Sequence, residues 1–270
     1  MEISDPEIDQ LLYQVKNRYG YDFTNYSQAS IKRRVIRFCE IHRIENYFDL
    51  KHHLINDHIL FTDFVLQVTV NITEMFRDPS FFKSVKENLF PHLATYPHCK
   101  IWHAGCSTGE EAYSMAIMLE ESNLMKTTIY ATDINSEVLM QAREGTYSMK
   151  LMKDYTSNYI KSGGNNSFSD YYTAHYNMAI INAGLKKNIV FSQHNLVSDG
   201  SFNEFNFIVC RNVLIYFNKD LQERVLNLFY ESLVPLGYLG LGSKETLQFS
   251  SLRDKFEVID KKEKIYRRIE

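Results

Sequence analysis

The residues best suited to bind a ligand lie between Lys100 and Leu119, around the sequence Ala-Gly-Cys-Ser-Thr-Gly-Glu-Glu. A short apolar run precedes this sequence, and apolar residues recur at three- and four-residue intervals after it. The pattern predicts a strand, a glycine turn and a helix. Gly105 and Gly109 permit a tight turn, and the free amides at the helix start lie beside it. We therefore expect a nucleotide-like ligand to lie against this turn.

Two carboxylates, Glu110 and Glu111, follow the turn directly. Negative charge at a helix start disfavours a phosphate, so the pair favours a ligand with hydroxyl groups, an amino group or positive charge. S-adenosylmethionine has all three. The segment has neither the Gly-x-Gly-x-x-Gly spacing of dinucleotide folds nor the Gly-Lys-Ser/Thr end of a P-loop. Taken alone, it also fits an ordinary strand-to-helix turn of an α/β protein.

Polar side chains just past the ends of predicted strands form a second candidate group. Asp133 ends a β-rich run that begins at Thr127. In nucleotide-binding α/β folds, an acid at such a position accepts hydrogen bonds from the ribose hydroxyl groups. The alternative role for this carboxylate is to cap the helix expected from Asn135. Three further polar residues follow the strand predicted at 205–210, where open α/β sheets bind ligands, namely Arg211, Asn212 and Tyr216.

The hydrophobic pattern predicts the elements that carry these residues. Residues 6 to about 70 are expected to be helical, and Pro79 is expected to open a further helix. The region from about 147 to 187 is rich in turn residues and tyrosine, which predicts an inserted subdomain with a small β-hairpin sheet. A helix is predicted from Lys219 to Leu233, ended by Pro235 and Gly237. Strands are predicted at 188–196, from Tyr238 to Ser243, and in a closing antiparallel pair at 256–260 and 264–269.

An amphipathic segment from Ser27 to Cys39 carries a basic stripe. Its apolar residues fall on one face, and four cationic side chains lie largely outside that face: Lys32, Arg33, Arg34 and Arg37. Such a stripe is typical of a solvated helix face. Because no acidic residue interrupts it before Glu40, the stripe is also a candidate for docking an acidic helix or a nucleic acid.

Bulk composition narrows the class of protein. A chain of 270 residues can form one large domain or two, and a net charge of -3 provides no general attraction to nucleic acid or anionic membranes. The four cysteines lie far apart, which signals neither a zinc site nor a disulfide framework and fits a reducing cytoplasm. Neither a membrane-spanning apolar run nor a signal peptide is recognisable. We expect a cytoplasmic monomer without membrane insertion and without a metal.

Four segments occur in order: Asn71-x-Thr73-x-x-Phe76-Arg77, Ala104-Gly-Cys-Ser-Thr-Gly-Glu-Glu111, Ala131-Thr-Asp133-Ile, and Cys210-Arg-Asn-Val-Leu-Ile-Tyr216-Phe. Together they resemble the CheR-type chemotaxis receptor glutamate O-methyltransferases, and with the N-terminal helical region they cover nearly the whole chain. Two departures are Met75, where an aromatic residue is usual, and Ala112, where proline is common. Both change packing and leave the polar atoms in place.

The resemblance implies a fold and a set of functional residues. The fold is an α/β class I S-adenosylmethionine-dependent methyltransferase with a Rossmann-like seven-stranded sheet. Its domains would be a small all-α domain at 1–75 and a methyltransferase domain at 76–270, with a small β subdomain inserted at about 147–187. The donor would be bound by Asn71, Thr73, Arg77, Gly105, Glu111, Asp133, Asn195, Leu196, Arg211 and Asn212. The catalytic group would be Arg77, Arg211 and Tyr216, and the substrate helix would be read by Arg34 and Arg37.

The implied reaction methylates glutamate carboxylates on cytoplasmic helices of chemotaxis receptors and leaves S-adenosylhomocysteine. It joins a cation and an anion into neutral products, so the enzyme must supply placement and exclusion of water rather than a strong base. We expect Arg77 to hold the methionyl end of the donor and Tyr216 to orient the carboxylate. One alternative is a methyltransferase acting on nucleic acid, although no Asn/Asp-Pro-Pro-Tyr/Phe sequence is present. The other is an inactive donor-sensing adaptor, which would be expected to lack Arg77, Asp133 or Tyr216.

Overall fold

The computed structural model describes residues 3–124 and 126–270. Contacts between Cα atoms divide the described chain into two compact units. The first contains the residues up to Asn71 together with Ile215–Val225, and the second contains Ile72–Leu214 together with Leu226–Glu270. The sequence-based boundary near residue 75 stays a prediction.

The first unit is built from four helices around an apolar core, which confirms the predicted all-α region. The helices are α1 Asp5–Tyr19, α2 Gln28–His42, α3 Tyr47–Asn56 and α4 His58–Val68. Local signals explain where they begin and end. Ser4 and Glu7 form a capping box at the start of α1, and Gly20 in the left-handed conformation ends it. The inward faces bury side chains such as Ile8, Leu11, Val35, Phe38, Leu50 and Phe64.

The second unit contains the predicted seven-stranded sheet. Its strands are β1 Cys99–Ala104, β2 Thr127–Asp133, β6 Ile189–Gln193, β7 Phe205–Cys210, β8 Leu233–Leu241, β9 Phe256–Asp260 and β10 Ile265–Arg268. The order across the sheet is β6-β2-β1-β7-β8-β10-β9. The first five strands run parallel, and β10 pairs antiparallel with β8 and β9. Because parallel strands need crossovers, helices alternate with them.

The remaining elements surround or interrupt this sheet. The helices are α5 Pro79–Asn88, α6 Phe90–Leu93, α7 Glu110–Glu121, α8 Ser136–Glu144, α9 Met152–Lys161, α10 Ala183–Lys186 and α11 Lys219–Ser232. Helix α5 begins at Pro79, as predicted. A second sheet has three antiparallel strands, β3 Thr146–Ser148, β4 Tyr172–His175 and β5 Met178–Ile181, in the order β3-β5-β4. It lies in the region where an inserted β subdomain is expected.

Strand β8 differs from its prediction, because it begins at Leu233 rather than Tyr238. The β7–β8 register passes from Phe205 opposite Leu233 to Phe207 opposite Tyr238, so residues 234–237 bulge from the strand. Leu236 lies at a φ of 63° within this bulge. Pro235 and Gly237 therefore mark an irregular strand and not only the end of α11, since a bulge tolerates a residue without an N–H group.

Every helix among the described residues is too short or too polar to cross a lipid bilayer.

Candidate active site

The glycine turn joins β1 to α7, and the predicted strand, turn and helix are all present. Gly105 has a φ of 78° and donates its backbone N–H to Thr132 O at 2.8 Å. A Cβ atom at Gly105 would lie 2.5 Å from Cγ2 of Val213. Gly109 has a φ of 93° at the start of α7. Both positions need glycine for their left-handed backbone, and the turn packs closely against the segment that follows β7.

Asp133 ends β2 and orders the backbone on both sides of the turn. Its Oδ2 accepts a hydrogen bond from Ser107 N at 2.9 Å, and its Oδ1 accepts one from Asn135 N at 3.0 Å. Burial raises the pKa of Asp133 above its ordinary value, although these N–H groups oppose the shift. The cap of α8 is Asn135, which accepts from Glu137 N at 2.9 Å. Asp133 is therefore not the helix cap, and each of its oxygens can still accept a hydroxyl hydrogen.

Glu111 lies in the first turn of α7 and has a cationic partner at the end of β7. Its Oε2 accepts a hydrogen bond from Arg211 Nη1 at 2.9 Å. Its Oε1 lies 3.0 Å from Nδ1 of the fully buried His103, which must carry the hydrogen because an ionised carboxylate only accepts. Burial alone would raise the pKa of Glu111, but His103 and Arg211 bring it below its ordinary value. The carboxylate is therefore held ionised and in one orientation.

Arg211 also reaches the segment before α5. Its Nη2 lies 2.6 Å from Asp78 Oδ2, and its Nη1 donates to Arg77 O at 3.3 Å. The guanidinium carbon lies 4.1 Å from the centre of the Phe81 ring. One arginine at the end of β7 thus links the start of α7 to the Arg77 segment, through charge-assisted hydrogen bonds to Glu111 and Asp78.

Arg77 lies between two residues in the left-handed backbone conformation, Phe76 at a φ of 53° and Asp78 at 55°. Such conformations are costly for residues other than glycine and persist where packing enforces them. The Phe76 side chain is fully buried, and its N–H donates to Ser114 Oγ at 2.9 Å. The half-buried Arg77 side chain donates from Nη1 to Ile72 O at 3.2 Å.

The other predicted donor contacts have local roles that are compatible with ligand binding. Asn195 Oδ1 accepts from Val197 N at 2.9 Å, Leu196 is buried beside it, and His194 N donates to Asp133 O at 3.1 Å. Thr73 is half-buried on the chain that leads to Arg77. In the first unit, Asn71 Nδ2 donates to Thr69 O at 3.0 Å, which closes the end of α4. The donor-binding roles of these residues stay predictions.

Sequence reasoning missed Glu245, a buried carboxylate that shapes the loop after β7. It accepts hydrogen bonds from four backbone N–H groups, those of Asn212, Val213, Leu214 and Gly242, at 2.6 to 3.1 Å. Burial raises the pKa of Glu245, against the effect of these donors. Asn212 itself has a φ of 61°. The only sequence signal was an acid shortly after the β8 prediction, and nothing in its spacing identified its partners.

Tyr216, Arg34 and Arg37 all belong to the first unit. The guanidinium carbon of Arg34 lies 5.4 Å from the centre of the Tyr216 ring, and its Nη1 donates to Gln67 O at 3.3 Å. Arg37 is exposed and lines an open groove of about 600 Å³ along α2 with Lys32, Arg33 and Ile36. The two arginines expected to read the substrate helix therefore have different surroundings.

Comparison with known proteins supports one family over both units. The sequence model for the CheR methyltransferase all-alpha domain matches residues 6–69, and that for its SAM binding domain matches residues 71–265. The Pseudomonas putida protein Cher3 is 46% identical over 266 residues, which are 98% of this chain and 97% of that protein. A chemotaxis protein methyltransferase from Listeria innocua is 31% identical over 91% of this chain and 92% of its own length. Chemotaxis protein methyltransferase 1 of Vibrio cholerae is 29% identical over 95% of this chain and 94% of its own length. The chain therefore belongs to the CheR methyltransferase family, as its four motifs predicted.

Proposed function

We propose that this protein methylates glutamate side chains on the cytoplasmic helices of chemotaxis receptors. The donor is S-adenosylmethionine, and the products are glutamate methyl esters and S-adenosylhomocysteine. The observation that carries the proposal is the linked set of Asp133, Glu111 and Arg211 around the glycine turn, in a chain of the CheR methyltransferase family.

The chemistry of this set fits the proposed donor. Asp133 offers acceptors for ribose hydroxyl groups, and its oxygens are already oriented by Ser107 N and Asn135 N. Glu111 supplies a fixed negative charge that suits an amino group. The glycine turn allows a ligand to lie against the backbone. Arg77 is assigned to the methionyl end of the donor, and Asn71, Thr73, Asn195, Leu196 and Asn212 to further donor contacts.

The proposed reaction needs placement more than acid–base catalysis. The sulfonium supplies an electrophilic methyl group, and a glutamate carboxyl group, whose ordinary pKa lies well below 7, is already ionised at neutral pH. Holding the two reactants in line can contribute roughly 7–11 kcal/mol. A guanidinium bound tightly to the attacking oxygen would stabilise the reactant, so Tyr216 rather than Arg77 is assigned to orient the carboxylate.

The open face of α2 is the proposed docking surface for the receptor helix. Lys32, Arg33 and Arg37 line its groove together with the apolar Ala29 and Ile36 and one acidic residue, Glu40. Positive side chains around an apolar centre suit an amphipathic helix rich in glutamate. The protein is proposed to act as a monomer in the cytoplasm and to need no metal. Its proposed partners are receptor helices rather than nucleic acid.

The decisive experiment is incubation with methyl-labelled donor and purified receptor cytoplasmic fragments, followed by mild alkali. We expect label that is released as methanol, because carboxyl esters are base-labile. A fragment whose methylation-site glutamates are changed to alanine serves as the control and should remain unlabelled. Base-stable label, or labelling of nucleic acid, would contradict the proposal, and donor binding without any transfer would indicate an adaptor.

The assignment of Tyr216 has its own test. Tyr216→Phe should lower kcat with receptor fragment by about tenfold or more while donor affinity stays unchanged, because only the orienting hydroxyl is lost. Full turnover with unchanged receptor affinity would remove the orienting role from Tyr216.

A further inference from the structure

We infer that Arg34 is a positioning residue that holds Tyr216 in place, and that it does not read charges on the receptor helix. The inference rests on the proposed function, because it concerns the residue assigned to orient the substrate carboxylate. It reassigns one of the two arginines expected to bind substrate, and leaves Arg37 with that role.

The backbone around Tyr216 is fastened to the segment that leads into α2. Ser27 N donates to Tyr216 O at 2.8 Å, and Asn218 N donates to Asn25 O at 2.9 Å. Tyr26 and Phe217 form an antiparallel β-bridge, and their ring centres lie 5.0 Å apart. Tyr216 is thus held on its main chain by the residues that begin the helix carrying Arg34.

Arg34 completes this attachment at the side chain. Its guanidinium carbon is 5.4 Å from the centre of the Tyr216 ring, within the range of a cation–π interaction. Its Nη1 donates to Gln67 O at 3.3 Å and its Nε to Ser30 Oγ at 3.4 Å, so α2 and the end of α4 hold the guanidinium in place. The side chain is half-buried, and burial lowers the pKa of Arg34 while Tyr216 opposes that shift. Two of the three guanidinium nitrogens of Arg34, Nε and Nη1, therefore donate within the protein rather than to a partner.

Arg37 has the surroundings that a receptor-reading residue requires. It is exposed and lines the groove along the outer face of α2. Within residues 3–124 and 126–270, no hydrogen bond or ion pair engages its guanidinium. One helix thus presents two arginines with different tasks, because Arg34 contacts Tyr216, Ser30 and Gln67 whereas Arg37 is exposed.

The test separates kcat from KM with a receptor cytoplasmic fragment as the varied substrate. Arg34→Met should lower kcat by about tenfold and change KM by less than about twofold, since the cation on the ring is lost. Arg34→Lys, which retains a cation, should recover a large part of kcat. Arg37→Met should instead raise KM by about fivefold or more and leave kcat nearly unchanged.

A matched control is available in the same unit. The guanidinium carbon of Arg18 lies 5.7 Å from the centre of the Tyr19 ring and Arg18 is exposed, so Arg18→Met removes a second arginine–tyrosine pair, neither member of which has an assigned role in the reaction. The Arg18→Met variant should keep kcat and KM within about twofold of the wild-type values. Melting temperature and calorimetric binding of S-adenosylhomocysteine establish that each variant is folded. If Arg34→Met melts well below the control, Arg34→Gln, which removes the cation but keeps an N–H donor for Gln67 O, carries the same kcat-versus-KM comparison.

A double-mutant cycle gives the sharpest readout. In a Tyr216→Leu background, Arg34→Met should cost little further kcat, because a residue that acts through Tyr216 has nothing left to position. An equal loss in both backgrounds, or an Arg34→Met effect confined to KM, would overturn the inference. Failure of the wild type to form base-labile ester would instead overturn the proposed function, so the two failures are distinguishable.

Discussion

Arg211 at the end of β7 and Glu111 at the start of α7 form a buried ion pair, with Nη1 and Oε2 2.9 Å apart. The same guanidinium holds Asp78 through Nη2 at 2.6 Å. Two carboxylates on different elements therefore share one planar cation. Only arginine has the fork of donors that can serve both at once. This pair aligns the glycine turn with the segment that contains Arg77.

Replacing Arg211 with lysine should weaken donor binding by about tenfold or more, because one ammonium group cannot bridge Glu111 and Asp78. Calorimetric titration with S-adenosylhomocysteine measures the effect. Arg253→Lys is the matched control, since Arg253 is largely exposed and should tolerate the exchange. Unchanged affinity in Arg211→Lys would show that the bridge does not order the donor site.

The ionised Glu111 should give stability a specific pH dependence. The pKa of Glu111 is lowered in the folded protein from an ordinary value of 4.5. Its charged form therefore contributes stability at pH values above about 4.5, and this contribution is lost as the pH falls through the lowered pKa. We expect Glu111→Gln to be less stable than the wild type at pH 7 by about 1–3 kcal/mol, and the difference to shrink below pH 4.5.

Urea unfolding of both proteins at several pH values between 3 and 7 measures that difference. Glu120→Gln, on the exposed side of the same helix, should track the wild type throughout. A gap that widens as the pH falls would have the wrong sign for this pair.

Asp133→Asn should impair both the turn and the recognition of ribose. Asparagine has one acceptor oxygen, whereas Ser107 N and Asn135 N each require one, so the variant should lose about 1–3 kcal/mol of stability.

The wild type should bind S-adenosylhomocysteine about tenfold more tightly than its 2′-deoxy analogue, because the analogue leaves Asp133 without that hydroxyl. Asp133→Asn should discriminate less. Asp154→Asn, at an exposed position of α9, serves as the control, and undiminished discrimination would place the ribose elsewhere.

Glu245→Gln should loosen the loop that carries Asn212. The glutamine amide accepts hydrogen bonds only through its oxygen. Two of the four backbone N–H groups would therefore face its NH₂ group, which is itself a donor. We expect a loss of about 2–3 kcal/mol in unfolding free energy together with weaker donor binding. Thermal melting measures the stability and calorimetry measures the donor affinity. Glu204→Gln, at an exposed position, is the control for the loss of one negative charge. Normal donor affinity in a destabilised variant would limit Glu245 to a structural role.

Much of the site followed from local patterns. The turn at Gly105 and Gly109, the strand ending in Asp133 and the helical N-terminal region were predictable, because backbone conformation there depends on residues close in sequence. The bulge in β8 was not predictable, because Pro235 and Gly237 give the same local signal in a turn and in an irregular strand. The grouping of Ile215–Val225 with the N-terminal helices also lay beyond local pattern.

The sequence by itself determined the residue types, the family motifs and the elements on which each functional residue lies. Tertiary structure alone decided the partners: Glu111 with His103 and Arg211, Glu245 with the loop at Asn212, and Arg34 with Tyr216. Arg34 and Tyr216 are 182 positions apart in the chain. Whether such residues meet depends on strand order and packing, which no local propensity encodes, because those contacts form only when distant elements bury their apolar faces together.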